Sequence, residues 1–340
     1  MDIQRQNQSV QVVDKSSSGA VRRAIETFAK KLEFDDTQRG RIALAVTEGA
    51  NNIALHGNGG YVLFKQLDAD FGNGIEVLFV DKGPGMHNIS ECFQDGFSTG
   101  GTMGQGLGAI RRNVDSYEIF SSRDRGTVLL ARIGKTQLPT QRQFSYGAVS
   151  IAVEKEFVCG DSWAVRESGD KVFALVVDGL GHGPGAAEAA QAAVDCFMSV
   201  ALTHVTEVLE RIHLALRKTR GAAASVIELD RKTNELNYAG IGNISAVILD
   251  PEMNTRSLVS LSGIAGVEAR KIQAFNSKWC KDSTIVMHSE GLMSRWDLTA
   301  YPGLIRKDPT IIAAVLARDF SRGKDDVTVL VLSTRRATAS

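Results

Sequence analysis

A chain of 340 residues, 43% hydrophobic and 23% charged with 33 Gly and 6 Pro, has the composition of an ordinary globular protein and the length of about two domains, which excludes collagen-like and disordered classes. Its 39 basic and 39 acidic residues cancel, so the basic excess typical of a nucleic-acid binder is missing and no nucleic-acid partner is expected. The four cysteines, Cys92, Cys159, Cys196 and Cys280, form no CxxC pair and are expected as free thiols in a reducing cytoplasm. No apolar leader opens the chain and no stretch reaches the ~18 apolar residues of a membrane helix, so neither secretion nor membrane insertion is expected.

Apolar spacing predicts a helix over 20–34, with Ser16, Ser17 and Ser18 as candidate N-caps. A second helix runs from about Thr37 to Leu55 and stops at the turn-rich His56 to Gly60; strands follow at Tyr61 to Leu67 and Ile75 to Val80. A glycine-rich segment from Gly83 to Gly108 leads into a helix ending near Asp115, then two strands near Tyr117 to Ser121 and Thr127 to Ile133. The polar GKTQLPTQRQ has no apolar period and reads as a linker, giving expected domains over 1–134 and 145–340 joined by 135–144. Beyond it, short β-type runs at Tyr146 to Val153, Val172 to Val177, Ser225 to Leu229, Ala246 to Leu249, Thr284 to His288 and Val327 to Leu332 dominate. Alanine-rich helical stretches near Ala186 to Leu202, Val205 to Arg217 and Thr310 to Asp319 lie between them, which suggests layered sheets covered by helices. The fold class expected is α/β in two domains.

Three pieces of the first half bear on chemistry. Glu48 and Asn52 lie four residues apart on one helix face, where an amide oxygen can ligate a cation and a carboxylate can take a proton; taken alone, such a pair is more commonly part of a solvated helix face. Asp81 closes a buried-looking strand before Gly83-Pro-Gly85, placed to accept a hydrogen bond from an exocyclic amine while the glycines let a ring approach the backbone; a simple turn is the other reading. The run Gly100-Gly101-Thr-Met-Gly104-Gln-Gly106-Leu-Gly108 opens a helix and offers backbone N–H groups to phosphate, without the GK[ST] of a Walker loop.

In this order, Glu48-Gly-Ala-Asn-Asn52, Asp81-Lys-Gly-Pro-Gly85, Gly96 to Arg112 and Gly126-Thr127, the chain resembles the GHKL ATPase superfamily. Within it the likeness is to the serine/threonine kinases of bacterial partner-switching systems, the RsbT and SpoIIAB type, over about Ala20 to Ile133. The resemblance implies a GHKL (Bergerat) α/β sandwich that binds ATP with Mg²⁺. It implies that Asn52 holds the Mg²⁺, Asp81 the adenine amine, and Gly104, Gly106 and Gly108 the lid, with Gly83, Gly85 and Thr127 also at the nucleotide. Glu48 would be the base that activates the attacking hydroxyl. No dimerisation and phosphohistidine segment is seen upstream, which disfavours a sensor histidine kinase. His56 and His87 read as structural or surface residues.

In the second half, Asp161, Asp178, Glu290 and the pair Asp325-Asp326 each border an apolar β-run, where strand ends can converge at one edge of a sheet. Hard oxygen ligands of this kind favour Mg²⁺ or Mn²⁺. The set resembles the metal-dependent protein phosphatases of the SpoIIE and RsbX-like group over about Ser145 to Leu332, a β-sandwich flanked by helices. That resemblance implies that Asp178 bridges two metal ions, that Asp161 and the carbonyl of Gly179 complete one shell, and that Glu290 and Asp325 serve the other. Glu290 stands where the family usually has Asp, and Asp326 is adjacent enough to share or exchange the role of Asp325. His182 reads as an assistant to catalysis or as a supporting residue.

The joint expectation is a cytoplasmic regulator with a Ser/Thr kinase half and a phosphoprotein phosphatase half. The resemblance implies STAS-domain antagonist proteins as targets, in phosphorylated and unphosphorylated form, and leaves homo-oligomerisation open. Opposed activities need a gate, for which the lid acting through the linker is the natural candidate. Two alternatives stay open: a phosphatase regulated by a non-kinase ATP/ADP sensor, and a non-catalytic adapter that sequesters its partner.

Overall fold

The computed structural model describes residues 5–67, 72–86, 106–138, 144–269 and 271–334. The chain divides into two compact units, Asn7–Gln141 with Ala300–Lys307, and Arg142–Thr299 with Asp308–Ala337, each owning a hydrophobic core. Cys159, Cys196 and Cys280 are free thiols, and Cys92 lies outside the described residues. Among the described residues no helix is long and apolar enough to cross a membrane.

In the first unit, β1 (Gln8–Val12), β2 (Gly60–Gln66), β3 (Gly74–Asp81), β4 (Ser116–Ser122) and β5 (Gly126–Gly134) form one sheet in the order β1-β2-β3-β5-β4, antiparallel throughout. Alternate residues of its central strands, Val62 and Phe64, Val77 and Phe79, Leu129 and Ala131, share one face by register. On that face they bury the apolar stripes of α1 (Ser17–Lys31), α2 (Asp36–His56) and α3 (Gly106–Asn113). Helix α1 starts three residues before its expected position, and the serines do not cap it. Ser16 instead donates backbone and hydroxyl to Asp14 Oδ1, at 2.8 and 2.6 Å, and Ser17 Oγ accepts from Val13 N at 3.1 Å. Helix α2 begins with a true capping box, Asp35 Oδ1 accepting from Gln38 N at 2.7 Å and Gln38 Oε1 from Asp35 N at 3.2 Å.

The second unit holds two five-stranded antiparallel sheets. One, in the order β13-β10-β9-β8-β7, comprises β7 (Asp161–Ser168), β8 (Lys171–Gly179), β9 (Ala222–Asp230), β10 (Glu235–Ile241) and β13 (Phe275–Lys278). The other, β12-β11-β14-β15-β6, comprises β6 (Ser145–Ile151), β11 (Ser245–Leu249), β12 (Thr255–Leu258), β14 (Thr284–His288) and β15 (Val327–Ser333). Helices α4 (Pro184–Ser199) and α5 (Val205–Ala215) cover the first sheet through Phe173, Leu175 and Val177, and α6 (Pro309–Phe320) packs on β6 and β15. The sheets meet through residues such as Tyr146 and Trp163, edge to face at 6.3 Å. Strands β1, β7, β10, β12 and β13 lie outside the β-runs expected from sequence. These short or mixed-polarity segments gain their strand character from neighbours, not from their own composition.

Candidate functional sites

Two sites form, one in each unit. In the first, Gly49 sits on α2 where an added Cβ would fall 2.1 Å from the Phe79 ring, so the helix lies directly on β3. That close approach carries the half-buried Glu48 and Asn52 over the end of β3. Asp81 closes β3, and its Oδ1 accepts from Gly83 N at 2.8 Å and Thr127 N at 3.1 Å. Gly126, at φ +79°, opens β5 against it; a Cβ there would lie 2.1 Å from the Asp81 carbonyl oxygen. Ser121 Oγ ties the loop down, accepting from Met86 N at 2.8 Å and lying 2.9 Å from Thr127 Oγ1. The tertiary structure thus brings Thr127, 46 residues after Asp81 in the chain, against the loop that carries Asp81, Gly83 and Gly85.

Asn52 shows what the site lacks by itself. Among the described residues its buried Nδ2 has no hydrogen-bond partner, and a Cβ at Gly106 would lie 2.9 Å from its Oδ1. An orphaned amide against a glycine-only helix start is the arrangement expected where a polar ligand completes the bonding. Gly106 and Gly108 occupy the first turn of α3, whereas Gly100, Gly101, Gly104 and His87 lie outside the described residues. His56, at the end of α2, is exposed.

The second site lies at one end of the sandwich, between the sheets. Antiparallel register makes Asp161 and Asp178 direct cross-strand partners, and like charges so placed repel. From the other sheet, Glu290 follows β14 and Asp325 precedes β15. Burial first, then Asp178, pushes the Asp161 carboxyl well above its usual range. Asp178 is pushed up to about 7, by burial and then by Asp325 and Glu290. Such a cluster of mutually repelling carboxylates has the donor chemistry of a hard-cation site. Among the described residues no three His, Cys, Asp or Glu side chains are already drawn together at metal-ligating spacing. Gly179 is a glycine by necessity, since a Cβ would lie 2.1 Å from the Ala186 carbonyl oxygen in the first turn of α4.

Asp326 takes a different role from its neighbour. Its Oδ1 accepts from Val153 N at 2.7 Å and its Oδ2 from Gly160 N at 2.6 Å, so it braces the β6–β7 loop and leaves Asp325 to face the cluster. Burial raises its pKa despite those two amides. His182 Nδ1 lies 2.7 Å from Glu156 Oε1, exposed beside the loop that leaves Asp178.

Several supporting residues escape a reading of the sequence. Ser289 Oγ donates to Asp161 Oδ2 at 2.6 Å and accepts from Thr328 N at 2.9 Å, linking the two sheets at the site. Asn243, in the β10–β11 turn, donates its Nδ2 to Glu290 Oε2. Trp296 Nε1 donates to His288 Nε2 at 3.3 Å, two residues before that carboxylate in sequence. Only the position of Ser289 beside Glu290 could have flagged any of them.

A Bergerat-like sheet that brings Thr127 against Asp81 and Gly83 beneath the Asn52 helix, and a β-sandwich with a carboxylate cluster at its end, define a two-domain protein with an ATPase-type and a phosphatase-type half. Residues 13–133 match the histidine kinase-like ATPase domain family, and residues 168–335 match stage II sporulation protein E (SpoIIE). The serine/threonine-protein kinase RsbT of Bacillus subtilis (strain 168) is 35% identical over 113 residues, 33% of this chain and 84% of that protein. The phosphoserine phosphatase RsbX of the same organism is 27% identical over 139 residues, 41% of this chain and 70% of that protein. A solved chain from work on the bacterial stressosome, as a modular system adapted to control secondary messenger signalling, is 28% identical with a TM-score of 0.53, covering 56% of this chain and 100% of that one. The chain belongs to the RsbT-like histidine kinase-like ATPases through its first half, and carries a SpoIIE/RsbX-type phosphatase domain in its second.

Proposed function

We propose that the chain is a bifunctional partner-switching regulator. Its domain over 1–134 transfers phosphate from ATP to a serine or threonine of a STAS-domain protein, and its domain over 145–340 removes phosphate from such a protein in the cytoplasm. The observation that carries the reading is the convergence of carboxyl groups at the end of the sandwich: Asp161 and Asp178 face each other across β7 and β8, and burial, then Asp325 and Glu290 from the other sheet, raise the Asp178 carboxyl. A scaffold without a cation would gain nothing from facing two buried carboxylates across a β-ladder.

In the kinase half, Asp81 would take the adenine amine within the frame of Gly83, Gly85 and Thr127, and Asn52 the Mg²⁺ of the nucleotide. Gly104, Gly106 and Gly108 would close over the phosphates. Glu48, half-buried one turn from Asn52, would accept the proton of the attacking hydroxyl. In the phosphatase half, Asp178 would be shared between two ions, Asp161 and the Gly179 carbonyl would serve one, and Glu290 and Asp325 the other. Bound Mg²⁺ or Mn²⁺ would supply positive charge and an acidified water for in-line displacement at phosphorus. Asn243 and Ser289 would aim Glu290 and Asp161.

The test follows the intact mass of a STAS partner, supplied bare and phosphorylated. The expected result is a gain of one phosphate under ATP with Mg²⁺ and its loss under Mn²⁺ without nucleotide. Loss without gain would replace the kinase by a nucleotide-sensing domain. No change with either, across STAS partners, would leave an adapter.

A further inference from the structure

We infer that Arg220 receives the phosphoryl oxygens of the substrate in the phosphatase half; the inference rests on the phosphatase reading and adds a cationic residue to a site so far made of carboxylates. Arg220 immediately precedes Gly221, which has φ +84°, and the start of β9, where Ala222 and Ala223 pair with Gly179 and Asp178. Its side chain therefore begins two residues before the strand that borders Asp178.

From there it crosses the loop leaving Asp178. Nη1 donates to the Leu180 carbonyl oxygen at 3.1 Å, and Leu180 N in turn donates to Gly221 O at 3.0 Å, closing the two loops on each other. A Cβ added at Gly185 would fall 2.2, 2.6 and 2.8 Å from Nη2, Cζ and Nε, so the guanidinium lies flat on that glycine. A Cβ at Gly181 would meet Nη1 at 3.2 Å. The glycines of Gly179-Leu-Gly181-His-Gly183-Pro-Gly185 thus do two things: they allow α4 to approach Asp178, and they leave a bare track for one arginine.

What Arg220 does not bond to is equally informative. Among the described residues it makes no ion pair, although Asp178 lies on the strand that pairs with β9, and Asp161, on β7, is the cross-strand partner of Asp178. Its single hydrogen bond is to a backbone carbonyl, and Nη2 and Nε keep their protons for a ligand on the exposed side. A guanidinium anchored by backbone with part of its fork free suits the planar, two-point recognition of phosphate. The charge balance points the same way. A phosphomonoester dianion must approach a cluster of carboxylates, and a fixed cation at its rim offsets that repulsion and orients the ester for attack.

The experiment compares the full-length wild type with Arg220→Ala, Arg220→Lys and Gly185→Ala on a phosphoserine peptide under Mn²⁺, with inorganic phosphate as inhibitor. Arg220→Ala is expected to raise both KM and the phosphate inhibition constant about 10- to 100-fold, as for loss of charge-assisted hydrogen bonds. The Mn²⁺ activation midpoint and Tm should stay put. Arg220→Lys keeps charge without the fork and should recover only part of the affinity, and Gly185→Ala should reproduce the loss with the arginine still present. Unchanged KM and phosphate inhibition in Arg220→Ala would overturn the inference alone, as would a loss that follows the Mn²⁺ midpoint or Tm, which marks a loop staple. A wild type without turnover would overturn the phosphatase reading itself, and the inference with it.

Discussion

With its carboxyl pushed up to about 7, Asp178 is divided between protonated and ionised forms near neutrality, and a cation would hold it ionised. Replacing it by Asn removes the repulsion with Asp325 and Glu290. The expected outcome is therefore divided: phosphatase turnover is abolished, while the metal-free protein at pH 8 gains on the order of 1–3 kcal/mol in denaturant unfolding. Equal stability of the two proteins would mean that the carboxylates do not strain the fold. On the proposed kinase side, Glu48→Gln keeps the shape of the side chain and removes the proposed base. Phosphotransfer to the partner should fall about 10²- to 10⁴-fold with ATP affinity unchanged, and a variant that still phosphorylates at the wild-type rate removes Glu48 from the reaction. Asn243→Ala frees Glu290, and the Mn²⁺ concentration needed for half activity should rise roughly 10- to 100-fold.

At the scale of elements, each site depends on a glycine whose role is contact. Gly49 lets α2 settle on Phe79, and Gly49→Ala is expected to cost about 1–3 kcal/mol in the denaturant midpoint as the ring or helix gives way. The same shift lifts Glu48 and Asn52 from β3, so nucleotide affinity should drop with stability; a variant as stable as wild type would show that α2 has slack. The amphipathic helices and the near-continuous apolar strands β3, β8 and β15 are legible in sequence because burial on one or both faces dictates their pattern. β7 is not legible. Asp-Ser-Trp-Ala-Val-Arg-Glu-Ser mixes polar and apolar residues because it is an edge strand with a carboxylate at one end and solvent at the other. The N-cap at Ser16 fails for a local reason: Ser16 is itself in the helical region and its N–H and hydroxyl turn back to donate to Asp14 Oδ1, so its oxygen accepts from no helix N–H.

For the molecule as a whole, acid and metal should act on stability in the same sense, since each relieves the repulsion within the carboxylate cluster. The Asp161, Asp178 and Asp326 carboxyls hold their protons more tightly folded than unfolded, where a carboxyl titrates near 3.8. Their stabilising contribution is complete below that value and is lost as pH rises through about 7 for Asp178. Metal-free protein should therefore lose Tm between pH 5 and 8, and Mn²⁺ should restore it, more at pH 8 than at pH 5. A Tm that is flat with pH, or a metal shift undiminished in Asp178→Asn, would remove the carboxylate cluster as the binding site.

Local chemistry in the sequence determined the helices, the apolar strands, the change of character near residue 135, and the residue types of both sites: a Glu and an Asn one helical turn apart, and acids at strand ends. Those features are short-range, set by periodicity and by which residues tolerate a buried strand beside a loop. Only the tertiary structure decided which acids meet. The β7–β8 register sets Asp161 opposite Asp178, two backbone amides claim Asp326 and leave Asp325, and Asn243 and Ser289 arrive from distant turns to hold Glu290 and Asp161. Arg220 likewise reaches its glycine track only because β9 pairs with β8. Pairings between residues tens of positions apart are fixed by sheet register and packing, and no local pattern records them.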